Sequence, residues 1–169
     1  MANYYVYSPL TGYTTSEIEN NEYCDGVGGG THWITGGSGF DRPIDIGFLD
    51  GAPYYYSRQL DLVVSSNIQS AIFTQSTNMC SSDPGSPWNT AVDVKLYTGT
   101  GGTGSLIGTV RYGHVDGARS PGTENYPGST TYVVGSAPLN NCGCGCYNGV
   151  HVHMEAKAGS GARSTTTPT

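Results

Sequence analysis

Two histidines in Asn148-Gly149-Val150-His151-Val152-His153-Met154-Glu155 stand at i and i+2. On an extended strand such positions share one face. Val150, Val152 and Met154 then take the other face, which suits a core. Two imidazoles on one side of a sheet can bind a metal, or one can bind while the other moves protons. An ordinary surface pair has the same spacing, so the chain must supply partners. It holds two further histidines, His32 and His114, and a carboxylate, Asp45, that alternates with Ile44 and Ile46. A catalytic zinc needs three protein ligands and an open position for water, whose pKa the ion lowers toward neutrality. Nearby histidines can then pass protons or stabilise an oxyanion.

Composition narrows what can surround these residues. The chain has 169 residues, enough for one domain with a real core. Glycine accounts for 26 of them, and charged residues for only 12%, against about 25% in an average soluble protein. This turn-rich, Tyr-rich, weakly charged composition fits an all-β domain at an extracellular or cell-surface location. A net charge of −6 with only seven Lys plus Arg argues against nucleic-acid binding, because no basic stripe exists to neutralise phosphates. No apolar run approaches the ~18 residues of a membrane-spanning helix. Met1 to Tyr7 lacks the basic and apolar regions of a signal peptide. Of the five cysteines, Cys142, Cys144 and Cys146 alternate with glycine, too tightly for relaxed disulfides among themselves. Cys24 and Cys80 are their possible partners. Two disulfides and one free thiol would result; a thiolate metal site is the alternative, without the usual Cys-x2-Cys spacing.

The elements that would position the histidines follow from period-2 alternation. Strands are expected around Ile44–Ile46, from Gly51 through Tyr56, at Leu60–Val64 and at Ala71–Phe73. Ala91–Tyr97 and Leu106–Val115 read as a β-hairpin with a glycine-rich tip. Thr130–Gly135 and Val150–Ala156 complete the set. Asp116 to Pro127 reads as a loop. Ser16–Glu22, with a Ser cap and early acids, is the one stretch that reads as a helical turn. Gly26 to Gly39 is a glycine-rich loop carrying His32.

Several of these segments resemble one family. Tyr112-Gly113-His114-Val115 and Asn148 to Glu155 are similar to the later motifs of the lysostaphin-type (LytM-domain) zinc endopeptidases. Tyr126–Ser129 to Val133–Ser136 resembles the segment that leads into that family's His-x-His strand. Gly102 to His114 resembles the turn before its Tyr-Gly-His triplet. Pro43–Ile46, followed by Gly51-Ala52-Pro53, resembles its Gly-x-Asp strand and turn. The resemblance spans residues 40–156. It implies a single, mostly antiparallel LytM-type β-sandwich there, with an irregular Tyr/Gly-rich lead at 1–39 and a disordered Ser/Thr/Pro tail at 157–169.

The resemblance also implies roles. His153 and Asp45 would bind Zn2+, His151 would be the catalytic histidine beside it, and His114 would polarise the scissile carbonyl or its oxyanion. The implied substrates are peptidoglycan peptide cross-bridges containing glycine or D-alanine. One position departs from the pattern. The family's first motif is His-x-x-x-Asp, both members binding zinc, and Asp41 stands where that His is expected. Three arrangements follow: Asp41 itself ligates, making the bound water less acidic; His32 swings in from its loop; or the site is degenerate and binds no metal. Two functions follow in turn. One is a zinc endopeptidase acting on peptidoglycan peptides. The other is a catalytically inactive member of the same fold, used as a binding module or as a structural subunit of an extracellular assembly. In the latter the Tyr-rich N-terminal segment could add to a neighbouring sheet, as in a homo-oligomer.

Overall fold

Alternating apolar residues build two antiparallel sheets that share one core. The structure is a computed structural model. It describes residues 4–7, 9–10, 18–21, 41–48, 58–76, 90–125, 131–137 and 151–159. Among them are nine strands: β1 Ile18–Asn21, β2 Asp41–Phe48, β3 Arg58–Leu62, β4 Ser70–Ser76, β5 Ala91–Tyr97, β6 Leu106–Gly113, β7 Gly122–Asn125, β8 Tyr132–Ala137 and β9 His151–Ala158. For β1, β2 and most of β9 the description is of the backbone. Seven strands form one sheet in the order β1-β2-β9-β6-β5-β4-β7, and β3 pairs with β8 in a second. Every pairing is antiparallel. The all-β expectation therefore holds for the described residues. They contain no α-helix, only a 3-10 turn at Thr100–Gly102.

The core explains which face of each strand is free for chemistry. On the large sheet, Ala71 and Phe73 of β4, Val92, Val94 and Leu96 of β5, Val110 and Tyr112 of β6, and Met154 of β9 are buried. They meet Leu60 and Leu62 of β3 and Val134 and Ala137 of β8 in one cluster. Fully burying one such Val, Leu or Phe contributes about 1.5–3 kcal/mol. Lys95, Thr109 and Arg111 alternate with these residues and so take the opposite, outer face. The N-terminal segment runs along β3 and its extension: Tyr7 N–H donates to Val63 O at 2.9 Å, Ser65 N–H to Tyr5 O at 3.0 Å and Asp61 N–H to Pro9 O at 2.8 Å.

The β5–β6 hairpin is fixed at its tip from outside. Gly101, Gly102 and Gly104 have φ of 65°, 75° and 76°, the left-handed region that glycine enters without steric cost. Ser70, fully buried at the start of β4, receives the Gly102 N–H at 2.9 Å on its hydroxyl oxygen and donates to Gly99 O. Asn125 Oδ1 of β7 receives the Gly101 N–H at 2.6 Å. The hairpin is thereby tied to two other strands and not only to its own partner.

The sequence-based expectation fails in two places. Ile18–Asn21 is a strand, not part of a helical turn: its backbone pairs with Asp45–Phe48 of β2, and sheet hydrogen bonds outweigh the weak helix signal of a Ser cap and early acids. The loop expected at 116–127 contains β7, which pairs with β4 from Ser70 to Phe73. The final strand runs on to Ala158, and Gly159 N–H donates to Ile107 O at 2.7 Å. The strand expected from residue 51 to 56, His32 and all five cysteines (Cys24, Cys80, Cys142, Cys144 and Cys146) lie outside the described residues.

One buried group sets a pH limit on this core. Tyr112 is fully buried, and among the described residues its hydroxyl has no hydrogen-bond partner. Burial, and secondarily the charge of Asp61, holds its phenol well above the usual range. In the unfolded chain the phenol ionises near pH 10. Stability from the neutral phenol is thus complete below about pH 10 and declines as pH rises further, because only the unfolded state releases the proton. Tyr112→Phe leaves no group orphaned and is expected to match or exceed the wild type by up to about 1 kcal/mol at neutral pH. Urea denaturation at about pH 8 and about pH 11 should show a smaller alkaline loss for the variant; an equal loss contradicts the assignment.

Candidate functional site

Strand β9 lies between β2 and β6, so the His-x-His segment has a strand on each side. The register places Asp45 of β2 opposite His153 and Gly113 of β6 opposite His153 on the other flank. Gly47 stands opposite His151. Directly opposed residues on antiparallel strands lie on one face, with Cα atoms about 4.5–5.5 Å apart. Met154, one position along, sits between Ile44 and Tyr112 and is only 4% exposed. Positions 45, 113, 151 and 153 therefore share the outer face.

This arrangement joins two potential ligands in one row. A carboxylate and an imidazole on adjacent strands at this separation can share one ion, since zinc holds both at about 2.0–2.2 Å. Gly47 and Gly113 also stand opposite the two histidines and contribute no side chain, and Gly113 is buried. β1 extends both rows outward, with Asn21 opposite Asp45 and Glu19 opposite Gly47. Sequence reasoning missed these two, because the apparent helical turn concealed the strand that aligns them.

His114 follows directly on Gly113, where β6 ends. It is half-buried, and its φ of 59° is the only positive value for a non-glycine residue among those described. A left-handed residue with a Cβ costs roughly 1–2 kcal/mol, and such outliers gather at functional sites. The next residue is anchored by Val115 N–H donating to Thr90 O at 3.0 Å. His114 is thus held one residue from the Asp45–His153–Gly113 row.

The neighbouring row is a charge row. Arg111 stands between Asp93 of β5 and Glu155 of β9. Its Nε donates to Asp93 Oδ1 at 2.7 Å and its Nη2 to Asp93 Oδ2 at 3.0 Å, a two-pronged ion pair that is largely shielded from solvent. It fixes β6 to β5 beside the candidate site.

The register does not bring Asp41 into the row. Asp41 stands opposite Ala156, beyond a bulge between residues 41 and 44. Among the described residues no group of three or more His, Cys, Asp or Glu side chains could hold a metal. The row itself offers two donors, Asp45 and His153. The backbone at His114 generates a separate expectation. Both His114→Ala and His114→Gly lose the imidazole, but only glycine tolerates the left-handed backbone freely. The glycine variant should be the more stable by about 1 kcal/mol in thermal or urea denaturation; an alanine variant of equal stability would show that this backbone is not strained. No family model matches the chain, and neither the curated proteins nor the solved structures give a match.

Proposed function

We propose that this protein is a zinc-dependent endopeptidase acting on peptide cross-bridges of peptidoglycan. The observation that carries the reading is the register row Asp45–His153–Gly113, with His151 on the same face and His114 adjoining. The motif resemblance supports it independently, because it singles out the same residues from sequence order alone. His153 and Asp45 would supply two of the three protein ligands that a catalytic zinc needs; such an ion polarises a carbonyl and lowers the pKa of a bound water. His151 would take the proton of the attacking water as general base and return it to the amine that departs as the peptide C–N bond breaks. His114 would donate to the oxygen that becomes negative as the peptide carbon turns tetrahedral. Gly47 and Gly113 stand opposite the two histidines and add no side chain to the row.

A second reading rests on one observation. Asp41, at the position where the resemblance expects a ligating histidine, stands opposite Ala156 and off the row. If no other residue supplies the third donor, the fold serves as a binding module or as a structural subunit of an extracellular assembly.

The two readings separate on metal and on catalysis. The endopeptidase reading expects stoichiometric zinc on purified protein supplied with excess metal, and its loss in Asp45→Ala and His153→Ala. It also expects cell-wall suspensions to clear at least about 100-fold more slowly with His151→Ala, the usual weight of a general base. Failure to take up zinc, or equal clearing by wild type and His151→Ala, contradicts it.

A further inference from the structure

The chain has two lysines, Lys95 and Lys157, and the fold aligns them. Lys95 of β5 stands opposite Thr109 of β6, and Thr109 stands opposite Lys157 of β9. The three positions form one row on the outer face, the face of His151 and His153. Lys95 is exposed and Thr109 half-buried. Two strand spacings separate the lysine positions, about 10 Å, and four residues of β9 separate Lys157 from His153, about 13 Å.

The charges along this face are ordered. Next to the candidate metal row lies Glu155–Arg111–Asp93, where Arg111 is already engaged with Asp93. Beyond it stands the row that carries both lysine positions. Ile72 of β4 stands opposite Lys95 and flanks that row with a half-buried apolar residue. The chain has seven Lys and Arg in all and a net charge of −6.

The geometry points to a carboxylate-binding subsite formed by Lys95, Thr109 and Lys157. The register sets a hydroxyl residue between two lysine positions, and ammonium and hydroxyl groups can both donate to a carboxylate. The ligand is a peptide carboxylate lying about four residues of extended chain, at about 3.3 Å each, from the bond at the histidine row. This inference rests on the endopeptidase reading for where the scissile bond lies, but binding at the lysine row needs no metal.

The test uses N-acetylated pentaglycine in two forms, with a free C-terminal carboxylate and with a C-terminal amide. Both are titrated into the isotope-labelled protein while backbone amide signals are followed. The carboxylate form should perturb Lys95, Thr109 and Lys157 and bind roughly 3- to 10-fold more tightly than the amide, the scale of two exposed ion pairs. That preference should weaken as salt shortens the screening length, and it should vanish in the double variant Lys95→Gln/Lys157→Gln. Equal binding of the two peptides, or no binding of either, overturns the subsite, as does a preference that survives the double variant. The same titration on His153→Ala separates the two claims. A preference kept there, with no zinc bound by the wild type, retains the subsite and removes the endopeptidase; zinc uptake and cleavage without any preference does the reverse.

Discussion

The register of β9 between β2 and β6 is the constraint on which the rest depends. Side chains alternate with period two, so a slip of one residue would exchange the two faces of the strand. Met154 prevents the slip by its place in the core, between Ile44 and Tyr112. With Met154 inside, positions 151, 153, 155 and 157 must all lie outside. The burial of one apolar side chain thereby fixes where two imidazoles, a carboxylate and a lysine stand relative to β2 and β6.

Lateral support for that register comes from the rest of the large sheet. The Arg111–Asp93 pair binds β6 to β5 on the outer face while Val94 and Val110 meet on the inner one. Ser70 and Asn125 hold the hairpin tip against β4 and β7. On the far side of the same hairpin, Gln75 Nε2 donates to Ala118 O at 3.0 Å and Arg119 O at 2.7 Å, and Arg119 lies over the Phe73 ring at 4.7 Å. These contacts restrain the segment that follows His114. The left-handed backbone at His114 thus sits between a strand end and an anchored connection, where neighbouring contacts can sustain a conformation that the residue itself disfavours.

The strands whose core residues alternate cleanly were legible in the sequence. Ala91–Tyr97 and Leu106–Gly113 read as a hairpin because Val92, Val94, Leu96, Val110 and Tyr112 repeat with period two and a glycine-rich turn lies between. Asp45, His114 and the His-x-His pair were legible as chemistry, since residue type and spacing suffice to select them. Their alignment was not, because it depends on pairings between strands distant in the chain: Asp45 and His153 are 108 positions apart, and Gly113 and His153 are 40. β1 was misread because Glu19 and Asn20 carry little strand preference and the strand exists through its pairing with β2. β7 was missed for the same reason: Gly122, Glu124 and Asn125 are poor strand formers, held by β4 and by the Tyr132 hydroxyl donating to Asn125 O at 2.5 Å. The lysine row was invisible until the register was known.

The central claim is that Asp45 and His153 form the start of one metal site. Its most direct measurement is a zinc titration of protein with nitrogen-15 in its histidine rings. The account predicts that one imidazole nitrogen of His153 shifts and ceases to titrate with pH as zinc is added, that Asp45→Asn weakens the effect, and that His114 and His151 go on titrating. If the His153 signals ignore zinc, or if zinc perturbs His114 or His151 in its place, the account is contradicted.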